Sequence, residues 1–193
     1  MPLNITGGGF NTLSNNSTIT IDDNTALVSR ATGTVIDAGS TILQTVFLRY
    51  DQRTTWSAPV SASTIVSDLN LSITPMFATS RILITYMLSF EVHHDTVFRL
   101  GRNNVELVRN NTDGGRWSGW ANPGYDQDTD STPKTTIYMH IDSPATTSTI
   151  TYNLMVGSSS AAAYTLCMNR NVGNVGSDDR ETGISYVMLQ EIK

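Results

Sequence analysis

The stretch LNLSITPMFATSRILITYMLSFEV, Leu69 to Val92, sets a short alternating run, a Thr-Pro corner and a long apolar run side by side. In the first run Leu69, Leu71 and Ile73 fall on one side and Asn70, Ser72 and Thr74 on the other, the period-2 pattern of a half-buried strand. Pro75, which has no amide proton to give to a ladder, ends it. The second run puts Ile82, Ile84, Tyr86, Leu88 and Phe90 on one face, with Leu83 and Met87 on the other among Arg81, Thr85, Ser89 and Glu91. Apolar residues on both faces predict a central strand, covered on both sides over part of its length.

The same alternation recurs outward from this segment. TILQTVFLRY carries Ile42, Val46, Leu48 and Tyr50 on one face; KTTIYMHID carries Ile137, Met139 and Ile141; STITYNLMV carries Ile150, Tyr152, Leu154 and Val156; ISYVMLQEI carries Ile184, Tyr186, Met188 and Ile192. With 69–73, 80–91, 96–101, 105–108 and 162–168 these runs predict about nine strands, separated by turn-forming clusters such as TDGG, NPG, DSP and NVGNVGSDD. No window keeps a 3.6-residue period between helix start and stop signals. The expectation is an all-β fold: an antiparallel β-sandwich, a jelly roll, over residues 33–193. Residues 1–32 read differently, as an extended N-terminal arm in which Leu3, Ile5, Phe10 and Leu13 are isolated among Gly, Asn, Ser and Thr. Such a segment has too little apolar surface to fold alone and is expected to order on a partner.

Composition narrows the function. Charged residues make up 15% of the chain, below the ~25% of average domains, so Ser, Thr, Asn and Gly supply the surface polarity. A net charge of −5, with 12 scattered Lys and Arg, gives no basic stripe for a phosphate backbone, and no nucleic-acid partner is expected. The start MPLNITGGGF has neither the basic end nor the apolar run of a secretory signal, and no stretch is apolar for ~18 residues, so no membrane partner is expected. Five Asn-x-Ser/Thr triplets, from Asn4 to Asn110, are accordingly read as accidents of composition. The single Cys167, in an alternating run, is read as a buried structural thiol.

Constellations that could carry chemistry are thin. On a strand His93 shares a face with Glu91 and Asp95 while His94 is turned away, which reads as strand-end polarity rather than a metal site. Asp126, Asp128 and Asp130 have the spacing that opens a calcium loop, but Ser131 stands where that loop needs Gly and Ile137 where it needs Glu. No phosphate-cradling loop, nucleophile elbow or paired cysteine is present, and His140 has no nucleophile near it in sequence. The expectation is therefore no enzyme, no metal and no cofactor. The richest loop, NNTDGGRWSGWANPGYDQDTD, sets Trp117, Trp120 and Tyr125 among glycines. These rings either form a surface that stacks on sugars or anchors a protein, or cap the end of the sandwich as core.

Three segments together resemble small β-rich virion proteins of tailed bacteriophages: SITPMFATSRILI; FRLGRNNVELVRNN with a Gly-Gly-Arg beyond it; and the closing ISYVMLQEI. In those proteins an "ITP" corner precedes "TSKILI", an "F-x-L-x-R-N" hairpin follows, and the last strand closes on "x-L-x-E-I". Here Arg81 replaces the commoner Lys and Gly101 interrupts the hairpin. The likeness spans residues 34–193 and leaves the arm uncovered. It implies a structural or host-facing virion module, often a homotrimer of jelly rolls. The chain shows no heptad, collagen-like or β-helical shaft, so the favoured expectation is a head decoration or cement protein whose arm (Leu3, Ile5, Phe10, Leu13) binds the major capsid protein. The alternative is a short receptor-binding or tail-tip protein, with the arm on tail proteins and Trp117, Trp120 and Tyr125 meeting host surface glycan.

Overall fold

In the computed structural model, residues 42–108, 118–127, 131–173 and 181–193 are described. They form eleven strands: β1 (Ile42–Tyr50), β2 (Thr54–Ala58), β3 (Thr64–Ile65), β4 (Leu71–Ile73), β5 (Arg81–Val92), β6 (Thr96–Arg102), β7 (Val105–Val108), β8 (Lys134–Asp142), β9 (Ile150–Ser158), β10 (Tyr164–Met168) and β11 (Ser185–Ile192). A 3-10 turn, Ser67–Leu69, leads into β4. All pairing between the strands is antiparallel.

The long apolar run becomes β5, at the centre of a six-stranded sheet. One edge of β5 pairs with β8. The other pairs with β11 along its first half and with β10 along its second, and these carry β1 and β2 in turn. The second sheet is built on β9, which pairs with β3, β4 and β6, and β6 pairs with β7. Successive strands pass back and forth between the two sheets, as in a jelly-roll sandwich. The β6–β7 hairpin closes on Asn103-Asn104, both in the left-handed region that a two-residue hairpin needs and that Asn tolerates.

Between the sheets lie Ile82, Ile84, Tyr86, Leu88 and Phe90 of β5, all fully buried, facing Tyr152, Leu154 and Val156 of β9 and Phe98 and Leu100 of β6. Phe90 and Phe98 meet edge to face across the layers at 5.2 Å. The outer face of the second sheet is also covered. Arg99, on that face and buried, donates from Nε to Ser118 O (3.0 Å) and from Nη1 to Ala62 O (3.2 Å), pinning two loops over the strands. At Gly157 the chain passes so close that an added Cβ would lie 2.5 Å from Ala62 O.

One sequence expectation needs correction, that Ile42 shares a face with Val46, Leu48 and Tyr50, and two short strands, β2 and β3, were not foreseen. Ile137, Met139 and Ile141 do not face the core but solvent, because β8 is in register with β5. Ile82, Ile84 and Tyr86 stand opposite Asp142, His140 and Tyr138, and residues directly opposite share a face. In β11 the same parity buries Val187 and Leu189 and turns Tyr186, Met188 and Ile192 outward. In β1 a register shift between Ile42 and Gln44 turns Ile42 out, while Val46, Leu48 and Tyr50 remain inward.

The two carboxylates buried by this parity are paired. Asp142 accepts from Arg102 Nη1 and from the Tyr152 hydroxyl, each at 2.7 Å, and burial drives the Tyr152 pKa upward. Burial pushes the His140 pKa down. Glu191 is wholly buried and accepts Gln44 Nε2 at 2.5 Å and the backbone N–H groups of Met76 and Phe77 at 2.8 and 3.3 Å. Burial alone would raise its pKa, but hydrogen bonds from Gln44 and those two amides outweigh it and hold the carboxyl below its usual value.

Two outcomes follow from this core. Phe90→Ala should cost about 3–5 kcal/mol by urea unfolding, as loss of a fully packed ring does. A depressed carboxyl stabilises the fold above its unfolded pKa, and that stability is lost as pH falls through the folded value. Glu191→Gln should thus cost roughly 1–3 kcal/mol at pH 7. The gap to wild type should begin to narrow as pH falls below the unfolded value of about 4.3 and close as it passes through the depressed folded value. Comparing the two chains cancels the contribution of His140.

Candidate functional site

The turn joining the two sheets at His93-His94-Asp95 gathers a group of partly exposed polar and aromatic side chains. The Asp95 N–H donates to His94 Nδ1 at 2.8 Å, and Thr96 Oγ1 donates to His94 O at 2.8 Å. The other ring nitrogen, Nε2, lies 3.2 Å from the Gln127 side-chain amide nitrogen. The ring stacks on Tyr164, at the start of β10, at 4.4 Å and 10°, and on Tyr125 at 5.5 Å and 7°. Three nearly parallel rings therefore stand at the end of the sandwich.

The Tyr125 hydroxyl is hydrogen-bonded to the Asp95 carboxylate, which holds its pKa above the usual phenol value. Beside this pair opens a cleft of about 210 Å3, lined by Asp95, Thr96, Asn122, Pro123, Tyr125 and Ser159. Ser159 N–H closes its floor by donating to Asp95 O at 3.2 Å. A carboxylate, an amide, a hydroxyl and an aromatic ring side by side suit the recognition of hydroxyl-rich ligands. His94 Nδ1 accepts from the backbone, and its Nε2 faces an amide.

The aromatic loop divides. Trp120 is held by its N–H to Phe98 O at 2.7 Å, and its ring packs on Tyr86 (6.0 Å) and Tyr138 (5.8 Å) against the core. Tyr125 is 39% exposed. Trp117 and the arm residues Leu3, Ile5, Phe10 and Leu13 lie outside the described residues, as do Asp128 and Asp130. Glu91, beside the histidine pair in sequence, is buried and accepts from Thr132 N, Thr132 Oγ1 and Val172 N at 3.0, 2.6 and 2.6 Å. Among the described residues no three His, Cys, Asp or Glu side chains are grouped to hold a metal. Cys167 is buried, and burial pushes its thiol pKa up. Sequence reasoning had His94 merely turned away from Glu91. Its stacking on Tyr164, seventy positions on, has no local signal, because β10 is brought there by pairing with β5.

No family model matches the sequence, and no curated protein does. Among solved structures the chain is similar to infectious bursal disease virus, Gt strain, at 10% identity and a TM-score of 0.40 over 86% of this chain and 43% of that one. It is similar also to the VP2 subviral particle of infectious bursal disease virus, at 10% identity and a TM-score of 0.35 over 78% of this chain and 37% of that one. The chain thus spans less than half the length of either.

The divided loop predicts divided behaviour. Trp120→Ala should cost about 2–4 kcal/mol in chemical unfolding, since a ring packed on Tyr86 and Tyr138 leaves a cavity. Tyr125→Ala, at an exposed ring, should stay within about 1 kcal/mol of wild type.

Proposed function

We propose that this chain is a non-enzymatic structural protein of a tailed-bacteriophage virion, a head decoration protein that attaches to the major capsid protein through its N-terminal arm and stabilises the shell. The resemblance of its ITP corner, its R-N-N hairpin and its closing L-Q-E-I segment to phage virion proteins is the starting point. The observation that carries the reading is that two of these segments form one device. Glu191 of the closing segment accepts the N–H groups of Met76 and Phe77, the two residues after the ITP corner, across 115 and 114 positions of sequence. Short motifs that meet in one buried hydrogen-bonded corner are parts of one fold, which supports a likeness over the whole sandwich rather than three chance matches. The arm, with Leu3, Ile5, Phe10 and Leu13 spaced by small polar residues, has the composition of a segment that orders in a partner's groove or on its sheet edge. Repeated over a lattice, many weak arm contacts act together through effective concentration.

A second reading, a tail-tip or receptor-binding protein, is favoured by the exposed Tyr125 and the cleft beside Asp95, which have the chemistry to meet surface polysaccharide. No helix among the described residues is long and apolar enough to cross a membrane.

Removing residues 1–32 should leave a folded sandwich with a nearly unchanged melting temperature that no longer attaches to capsids lacking this protein. Full-length chain should decorate those capsids and raise their resistance to heat. Electron cryomicroscopy of the decorated particles reads the outcome directly. Full decoration by the truncated chain, or a location on tails alone, would replace the head assignment with the tail-tip one.

A further inference from the structure

The two outer faces of the sandwich are unlike. That of the second sheet is covered by the chain's own loops, pinned by Arg99. That of the six-stranded sheet is buried at Ser89, Glu91 and Cys167 but, among the described residues, open over β1, β11, β8 and the first half of β5, where it is largely apolar. One cross-strand row reads Phe47, Met188, Thr85 and Met139 across β1, β11, β5 and β8. The row on one side of it contains Tyr186, Met87 and Ile137, and the row on the other Gln190, Leu83 and Ile141. Phe47 is 57% exposed, Ile137 56%, Met139 63% and Ile141 49%. Phe47 stacks on Tyr186 at 5.4 Å, so the rows are continuous.

We propose that this face is a self-association surface, packed in solution against the same face of a second copy of this chain. The proposal stands apart from the virion reading and rests on area, shape and charge. Four strands about 4.8 Å apart, crossed by four same-face steps of about 6.8 Å, cover on the order of 500 Å2. That is the size of the apolar centre of a standard interface burying about 800 Å2 per partner, and it lies at the upper end of what a lone protein exposes. The surface that matches a twisted antiparallel sheet is another sheet of the same hand, crossed at about −30°, and this chain presents one. The one carboxylate these four strands place on that side, Glu91, is buried beneath Thr132 and Val172, so the open part carries none; its charges, Arg49 and Arg81, lie at its corners. Arg49 is already neutralised by Asp51 at 2.6 Å, so two copies meet there without bare like charges.

The edge strand agrees. β8 pairs with β5 over nine residues without a register shift, contains no proline, and carries charge only at its ends, Lys134 and Asp142. Solitary proteins blunt such an edge with lysines, prolines or bulges. An isologous contact closes at two copies.

Sedimentation of the full chain tests this. Wild type should run as a species of twice 21.0 kDa at micromolar concentration, with a melting temperature that rises with concentration. Met139→Lys and Phe47→Lys, on the two opposite edge strands, should each weaken dimerisation roughly thirtyfold or more, as loss of a central contact does. Each should keep the near-ultraviolet circular dichroism of the folded chain. Val105→Lys, at a 69% exposed site on the second sheet, should change nothing. A wild-type monomer at about 100 μM, a trimer, or dimers indifferent to both face substitutions would overturn the proposal.

Discussion

The rest of the structure depends on one constraint, the pairing of β5 along both of its edges. Three strands from distant parts of the chain take their register from it: β8 on one side, β11 and β10 on the other. Because residues opposite one another in a ladder share a face, the inward set Ile82, Ile84, Tyr86, Leu88 and Phe90 dictates which side chains of its neighbours enter the core. A polar residue can be drawn in by that parity, and an apolar one driven out. Asp142, His140, Ser185 and Glu191 are drawn toward the core side; Ile137, Met139, Ile141 and Met188 are turned to the outer face.

Drawing carboxylates inward is tolerable only where donors meet them. Asp142 finds Arg102 and Tyr152; Glu91, buried on the outer side of β5, is met in the same way by Thr132 and the Val172 amide. Glu191 finds Gln44 from β1 and the amides that follow the Ile73-Thr74-Pro75 corner. Each buried acid thereby ties a loop or corner to a strand it does not neighbour in sequence. A charge left without those donors would cost several kcal/mol, so these bonds also select the correct loop arrangement. The Ile73-Thr74-Pro75 corner and the closing strand that carries Glu191 are thereby parts of one system.

The same architecture sorts the surface. Where β5 passes into β6, the short turn leaves His94 at the end of the sandwich between Tyr125 and Tyr164, beside a polar cleft. The second sheet spends its loops on covering its own outer face. The first is covered on its outer face among the described residues around Ser89, Glu91 and Cys167 and open over the first half of β5, and this contrast separates a ligand-sized polar end from a broad apolar side suited to protein contact.

The amino-acid sequence by itself determined the class of fold, the central strand and the buried faces of β5 and β9, because in those segments one uninterrupted period-2 pattern carries the large apolar residues that must leave water. It also singled out the Trp and Tyr loop, though not which ring packs inward. What only the tertiary structure decided is the direction each alternating strand faces. In β8 and β11 both faces contain large side chains, so period alone leaves two registers, and the choice falls to pairing with β5 and to donors supplied from elsewhere in the chain. The stack on His94 was equally illegible, since its members lie on three segments joined only by the fold. Local pattern records that a strand is amphipathic; which face meets the core is a property of its neighbours, and neighbours are set by contacts distant in sequence.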